Sequence, residues 1–262
     1  MRSLMCEPRR RGDGAARFLA CAMLAALVAA RPGGAAAPDP ATLLREAEAA
    51  RSPISEGLVR LRIGAERNGM RTVEGDLDLY TGGFDRFLAA FRSGKQRGRK
   101  ILVQGERTWL IVPGARNPLP VSGQQRLSGA ASVSDLARLR LSSQYRGRLR
   151  DVEEEIRGVR CAVVDLEGTA ERSDYPSGVL WSGAEDHLPR RLLLRLHSGK
   201  EARILDFVRY RTERGRQVVD LMELRDLLRR SAEVTILEFL AYEPRTIDPA
   251  LFTPEGARAL LE

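Results

Sequence analysis

Apolar and polar positions alternate along most of this chain. In GLVRLRIGAER (57–67), Val59, Leu61 and Ile63 fall on one side and Arg60 and Arg62 on the other. RTVEGDLDLY (71–80) repeats the alternation with Val73, Leu77 and Leu79. A period of two is that of a half-buried β-strand. Asn68-Gly69 between the two segments is the dipeptide of a tight hairpin. Further strands are predicted at FDRFLAAFRSG with Phe87 and Phe91, and at KILVQGERTWLIVP, two short runs split by a glycine turn. The pattern resumes at RCAVVDLEGTA, GVLWSG, RRLLLRLHSG, ARILDFVRYRTERG, RQVVDLMELRD and EVTILEFLAYEP. Turns at His197–Lys200 and Arg214-Gly215 join consecutive hairpins.

Helical spacing is scarce. Asp39-Pro40 caps ATLLREAEAAR, which puts Leu43, Leu44 and Ala47 on one side and stops at Pro53. SVSDLARLRLSSQY (132–145) reads as a short helix capped by Ser132 or Ser134. Thr253-Pro254-Glu255 opens a closing helical segment, Pro254 to Leu261. The total is about eight to eleven antiparallel strands and a few helices. A sheet of that length must curl, and its apolar face needs cover. The expected fold class is mainly β (α+β). It is a single strongly curved antiparallel sheet, an unclosed half-barrel, with helices covering the opening.

The first residues read differently. Arg9, Arg10, Arg11 and Arg17 precede FLACAMLAALVAA (Phe18 to Ala30), an uncharged run of 13 residues, and small residues follow. This is the layout of a secretory signal peptide, and it is shorter than the about 20 residues of a membrane span. Residues 1–37 are therefore expected to be a leader cleaved near Ala35 to Ala37, and 38–262 the functional domain, soluble and periplasmic.

Charge then means less than it first suggests. The leader carries six arginines and two acids, half of the formal +8. Lys95, Lys100 and Lys200 are the only lysines, so the arginine excess is chain-wide. Nucleic-acid binding needs a concentrated basic face, and none is expected. Cys161 is the one cysteine past the leader; it cannot form an internal disulfide and reads as a small buried residue.

Candidate chemistry is thin. His187 and His197 lie in turn sequences with no third group to complete a triad. Glu185, Asp186 and His187 are adjacent, a spacing that rarely converges on one metal ion. RSGKQRGRK lacks the glycine spacing of a phosphate loop. Asp151, Glu153, Glu154 and Glu155 read as a solvated strand or turn edge. No catalytic residue, metal or cofactor is expected. A curved sheet can instead line an apolar pocket. The candidate lining residues are Leu61, Ile63, Leu77, Leu79, Phe87, Phe91, Trp109, Ile111, Trp181 and Phe207. Each hydrocarbon methylene buried there contributes about 0.8 kcal/mol.

The passage GRKILVQGERTWLIVPGARNPLPVSGQQRLSGAASVSDLARL carries a resemblance. Gly98 to Leu102, Trp109-Leu110, Pro113, Arg116, Ser122 to Arg126, Gly129 and Asp135 fill its motif positions, and the likeness continues through Tyr175, Trp181 and the Ser-Gly-Lys hairpin. It resembles the outer-membrane lipoprotein-sorting proteins, the LolA-like periplasmic carriers. The loop ARNPLPVSG departs from that pattern, with prolines where a more basic segment is expected. The resemblance implies a half-barrel with a helical lid. It implies a non-catalytic carrier of lipid or lipoprotein acyl chains, with an inner-membrane transporter or outer-membrane acceptor as partner. An envelope sensor binding an exported protein and an exported hydrolase remain the alternatives.

Overall fold

The computed structural model describes residues 38–83, 85–122, 126–128, 131–132, 135, 139–169, 173–229 and 233–260. The leader, Ser134, Gly129, Leu261 and most of the Ser122 to Arg126 motif lie outside the described residues.

Helix α1 (Pro40–Arg51) precedes the strands β1 (Glu56–Arg67), β2 (Met70–Gly82), β3 (Arg86–Phe91), β4 (Lys100–Gln104), β5 (Arg107–Ile111) and β6 (Leu119–Pro120). A small separate hairpin, β7 (Arg126–Ser128) and β8 (Ala131–Ser132), leads to helix α2 (Leu141–Gln144). Seven long strands follow: β9 (Tyr145–Ile156), β10 (Val159–Gly168), β11 (Ser177–Gly183), β12 (Pro189–Arg195), β13 (Glu201–Glu213), β14 (Arg216–Asp226) and β15 (Val234–Pro244). A 3₁₀ turn (Pro249–Phe252) and helix α3 (Pro254–Ala259) close the described chain.

Thirteen strands form one antiparallel sheet in the order β6-β5-β4-β3-β2-β1-β15-β14-β13-β12-β11-β10-β9. The sheet is not closed into a barrel, because β6 and β9 are its two ends. Register shifts at Arg60/Leu61, Ala162/Val164 and Phe207/Arg209 increase local twist and bend the strands. The ends resist edge-to-edge pairing. β6 is two residues long and contains Pro120, and β9 carries Asp151, Glu153, Glu154 and Glu155 in exposed positions.

The hairpin at Asn68-Gly69 has both residues at positive φ, 52° and 77°, as a two-residue turn of matching twist requires. Arg214-Gly215 repeats it with 52° and 76°. Arg157-Gly158 does so too, joining β9 to β10. The pattern count of about eight to eleven strands falls short of thirteen because β6 is too short to show a period and β9 reads as an acidic run.

Both faces of the sheet carry apolar clusters, where the alternation suggested one. The concave face holds the main core, including Val59, Leu61, Ile63, Leu77, Leu79, Phe87 and Phe91 with Leu43, Leu44 and Ala47 of α1. The neighbours of those strand residues, Leu58, Tyr80, Leu88, Ala90 and Leu102, point the other way and pack with Ile111, Ile247, Phe252 and Ala257. That is why RFLAAF and KILVQ are nearly continuous in apolar residues. A third cluster on the same side as Phe252's joins Val163, Val179 and Leu193 with Trp181 and Ile204. The closing helical segment thus covers the convex side of β3, β4 and β5 and leaves the opening to others. Of the helix expected over 132–145, residues 133–134 and 136–138 lie outside the described residues, and α2 occupies Leu141–Gln144. Ser132 does not cap α2, whose start at Arg140 has no side-chain cap; it ends β8, and its Oγ accepts from the Asp135 N–H at 3.3 Å.

Candidate functional site

The site begins with α1. Asp39 accepts from the N–H groups of Ala41 and Thr42 at 3.4 and 3.2 Å, satisfying two of the unpaired donors at the helix start. Leu43, Leu44, Ala47 and Ala50 turn inward and are fully buried or nearly so. The helix rests on β9, β12 and β14. Gly147 permits that approach: a Cβ there would stand 3.0 Å from Pro40 Cβ and 3.1 Å from Leu44 Cδ1. Ser52 ends the helix by donating to Glu48 O at 2.8 Å, and Pro53 prevents its continuation.

Because α1 stops there, it leaves part of the concave face uncovered. A cavity of about 60 Å³ lies just beyond its last turn. Its apolar wall is Ile54, Val59, Leu79, Phe87, Met222 and Phe239, and Arg51, Thr81, Arg140 and Tyr242 add polar atoms. Pro53, Ile54 and Tyr242 also line an adjoining outer basin of about 280 Å³, rimmed by Glu213, Arg214 and Arg216. Tyr242 is fixed at this junction. Its ring stacks on Phe239 at 5.7 Å, its hydroxyl donates to Val219 O at 2.7 Å, and the Arg211 guanidinium lies 5.3 Å above it. Pockets for small molecules usually measure about 300–1,000 Å³. The inner cavity in this closed arrangement is far below that range, because Leu43, Leu44 and Ala47 occupy the concave hollow.

The electrostatics of the inner end are unusual for an apolar cavity. Arg51 is only 5 % exposed. Its terminal nitrogens donate to the main-chain carbonyls of Leu139 and Asp135, and its Nε is buried without a partner. An unsatisfied buried donor costs about 1–3 kcal/mol, more when charged. Burial, then the like charge of Arg140, lowers the Arg51 pKa to about 10, so the side chain remains charged at neutral pH. Burial also lowers Arg140, against the opposing field of Glu48. The Asp135 carboxylate is turned elsewhere. It accepts from Ser132 Oγ at 2.8 Å, Tyr175 Oη at 2.8 Å and Arg203 Nε at 3.4 Å. Burial pushes its pKa up, opposed first by Arg203. Tyr145, raised to about 12 by burial, donates to Tyr175 O at 2.7 Å, so the wall around Asp135 is held by polar contacts.

The expected lining residues divide by strand parity. Leu79 and Phe87 border the cavity. Leu61, Ile63, Leu77, Phe91 and Phe207 belong to the same concave cluster but lie away from the cavity wall. Trp109, Ile111 and Trp181 lie on the convex side, which corrects their expected placement. Leu110, between Trp109 and Ile111, is the residue that packs against the concave core. Trp181 instead donates from Nε1 to Glu154 Oε2 at 2.8 Å. Aromatic size suggested these positions, and the pleat decided otherwise. Val59, Met222, Phe239 and Tyr242 line the cavity but are absent from the candidate set, although Val59 shares the alternation of Leu61 and Ile63. Arg51 and Arg140 carried no sequence signal, since only the fold brings them to one cavity.

The groups considered for other chemistry are engaged separately. His187 Nδ1 lies 3.0 Å from Glu46 Oε2, and His197 Nε2 lies 3.2 Å from Ser173 O. Cys161 is buried, and burial raises its thiol pKa. Among the described residues no group of three His, Cys, Asp or Glu side chains could hold a metal ion. Nor is any of their helices long and apolar enough to cross a membrane. A broader cleft of about 470 Å³ on the convex side is walled by turn residues and by cations bonded to main-chain carbonyls. There Lys100 Nζ donates to Leu260 O at 2.7 Å, and Arg258 donates to Arg116 O at 2.5 Å.

A family model described as an uncharacterized protein matches residues 83–256. The chain belongs to that family. No curated protein matches it. Solved structures do. A LolA superfamily protein from Nitrosomonas europaea superposes with a TM-score of 0.72 at 21 % identity, covering 84 % of this chain and 99 % of the other. A DUF1329 family protein from Desulfovibrio piger gives 0.68 at 18 % identity, over 83 % and 99 % of the two chains. A domain designated an outer membrane lipoprotein-sorting protein, from Vibrio parahaemolyticus, gives 0.67 at 14 % identity, over 84 % and 98 %. Likeness at these identities establishes the fold, and the fold is LolA-like, as the resemblance in the sequence implied.

Proposed function

We propose that this protein is a non-catalytic carrier of the bacterial envelope, binding a lipid or a lipoprotein acyl chain in its concave hollow. The observation that carries the reading is the apolar cavity at the end of α1, which shares Pro53, Ile54 and Tyr242 with a basin rimmed by charge. An apolar cavity bordered by polar groups suits an amphiphile. Residues 1–37 serve as the export leader and 38–262 as the working domain in the periplasm. Loading requires α1 or the segment after it to yield, since about 60 Å³ does not admit an acyl chain. The packing of α1 side chains is then in competition with the ligand. The passing of cargo to or from an inner-membrane transporter or an outer-membrane acceptor completes the proposal.

A second reading, an envelope module that binds an exported protein without lipid, is favoured by the same filled hollow. One experiment separates the two. Protein purified from the periplasm under non-denaturing conditions is examined by native mass spectrometry and organic extraction. A carrier yields a stoichiometric amphiphile that is lost when Leu79 and Phe87 are both changed to Asp in a variant that still folds. Protein that is uniformly free of amphiphile, and that retains a co-purified polypeptide, supports the second reading against the first.

A further inference from the structure

We infer that the cavity at the end of α1 is built for an amphiphile with an anionic head group, a carboxylate or a phosphate, seated on Arg51 with Arg140 beside it. The inference rests on the carrier reading and adds the class of ligand.

A cavity meant for a neutral chain needs only apolar walls. This one has two arginines in its lining, one of them almost wholly buried. A buried cation is costly unless it is paired. Arg51 is held by neutral main-chain carbonyls, and among the described residues no carboxylate lies within ion-pairing distance of it. The nearest acidic side chains face other partners. Asp135 is committed to Ser132, Tyr175 and Arg203. Glu48, one turn back on α1, accepts from the N–H and the hydroxyl of Ser142 at 2.7 Å. Among the described residues the Nε of Arg51 therefore remains a buried donor with nothing to accept from it. Together with a terminal nitrogen, Nε forms the planar fork that matches two oxygens of a carboxylate or phosphate. Arg51 lines the cavity, so once the packing around its Nε yields to a head group, the chain of the ligand would run along Leu79, Phe87 and Phe239. The arginines of the outer basin, Arg214 and Arg216, are a separate cationic rim and serve as the control.

The test uses the delipidated full domain and calorimetric titration with dodecanoate, dodecyl phosphate, dodecanol and dodecyltrimethylammonium. Acetate and inorganic phosphate are the chainless probes. The expected result is that both anionic amphiphiles bind at least about tenfold tighter than dodecanol, as one charge-assisted hydrogen-bonded pair supplies. Arg51→Met brings dodecanoate to parity with dodecanol, and the double variant Arg214→Met/Arg216→Met leaves the preference in place. Circular dichroism checks folding, and Arg140→Met is the second variant should Arg51→Met fail to fold; it too reduces the preference. The order of dodecanoate and dodecyl phosphate tells a fatty-acid head from a phospholipid head, and a preference for either over dodecanol supports the site. Equal binding of dodecanol and dodecanoate overturns the inference while leaving the carrier reading intact. So does a preference that follows Arg214 and Arg216, or chainless anions that bind as tightly as the amphiphiles. Failure of every chain to bind overturns both.

Discussion

The two faces of the same strands are closed in different ways. On the convex side of β3, β4 and β5, Phe252 is pressed onto β2 at Gly82, where a Cβ would stand only 2.4 Å from its ring. The Arg86 guanidinium lies 5.5 Å from the centre of that ring. On the concave side α1 covers β9, β12 and β14 and then ends, leaving a cavity with a buried cation at its edge. One face is a finished core and the other is an interrupted one. Apolar burial alone does not mark a binding site; the place where the cover stops, and what polar groups stand there, does.

The comparison can be broken in three ways. The largest effect is expected from Phe252→Ala, which should cost about 3–5 kcal/mol in chemical denaturation. Its binding of dodecanoate should be unchanged; a fall in affinity that remains after correction for the unfolded fraction would move the ligand to the convex cluster. Leu44→Ala should cost about 2–5 kcal/mol in the same measurement. Here the affinity should rise several-fold, because the ligand no longer works against as much α1 packing. Affinity that declines together with stability would make the packing of Leu44 a support of the site and not a competitor for it. Gly147→Ala is the mildest probe. Its new Cβ would crowd Pro40 and Leu44 at 3.0 and 3.1 Å and Val164 at 2.9 Å, which should cost about 1–3 kcal/mol. It should raise affinity by less than Leu44→Ala does, and hydrogen exchange should show faster opening of α1 while β3 and β4 stay protected.

Much of the fold was legible because strand alternation and turn chemistry are local. Val59, Leu61 and Ile63 announced a concave stripe, and Asn68-Gly69 announced the hairpin that pairs β1 with β2. Asp39 and Pro53 bracketed α1 to within a residue or two. Less was legible of the site. Leu79 and Phe87 were in phase and in place, whereas Trp109, Ile111 and Trp181 were chosen for bulk against their own parity. Met222 and Phe239 lie far along the chain from Val59 and Leu79, and only the pairing of β15 with β1 and of β14 with β15 brings them to one cavity.

The sequence by itself determined the elements: which residues alternate, where turns of positive φ fall, and where the first helix begins and ends. These depend on steric limits and hydrogen bonds between residues a few positions apart. The tertiary structure alone decided which side of the sheet each helix would cover, that β9 would be an edge, and that Arg51 would be buried against Leu139 and Asp135. Those outcomes depend on contacts between distant segments, 84 and 88 positions apart for Arg51 and 160 for Lys100 with Leu260. No local pattern records such contacts, because the energy that selects them exists only once the sheet has curved around the helix.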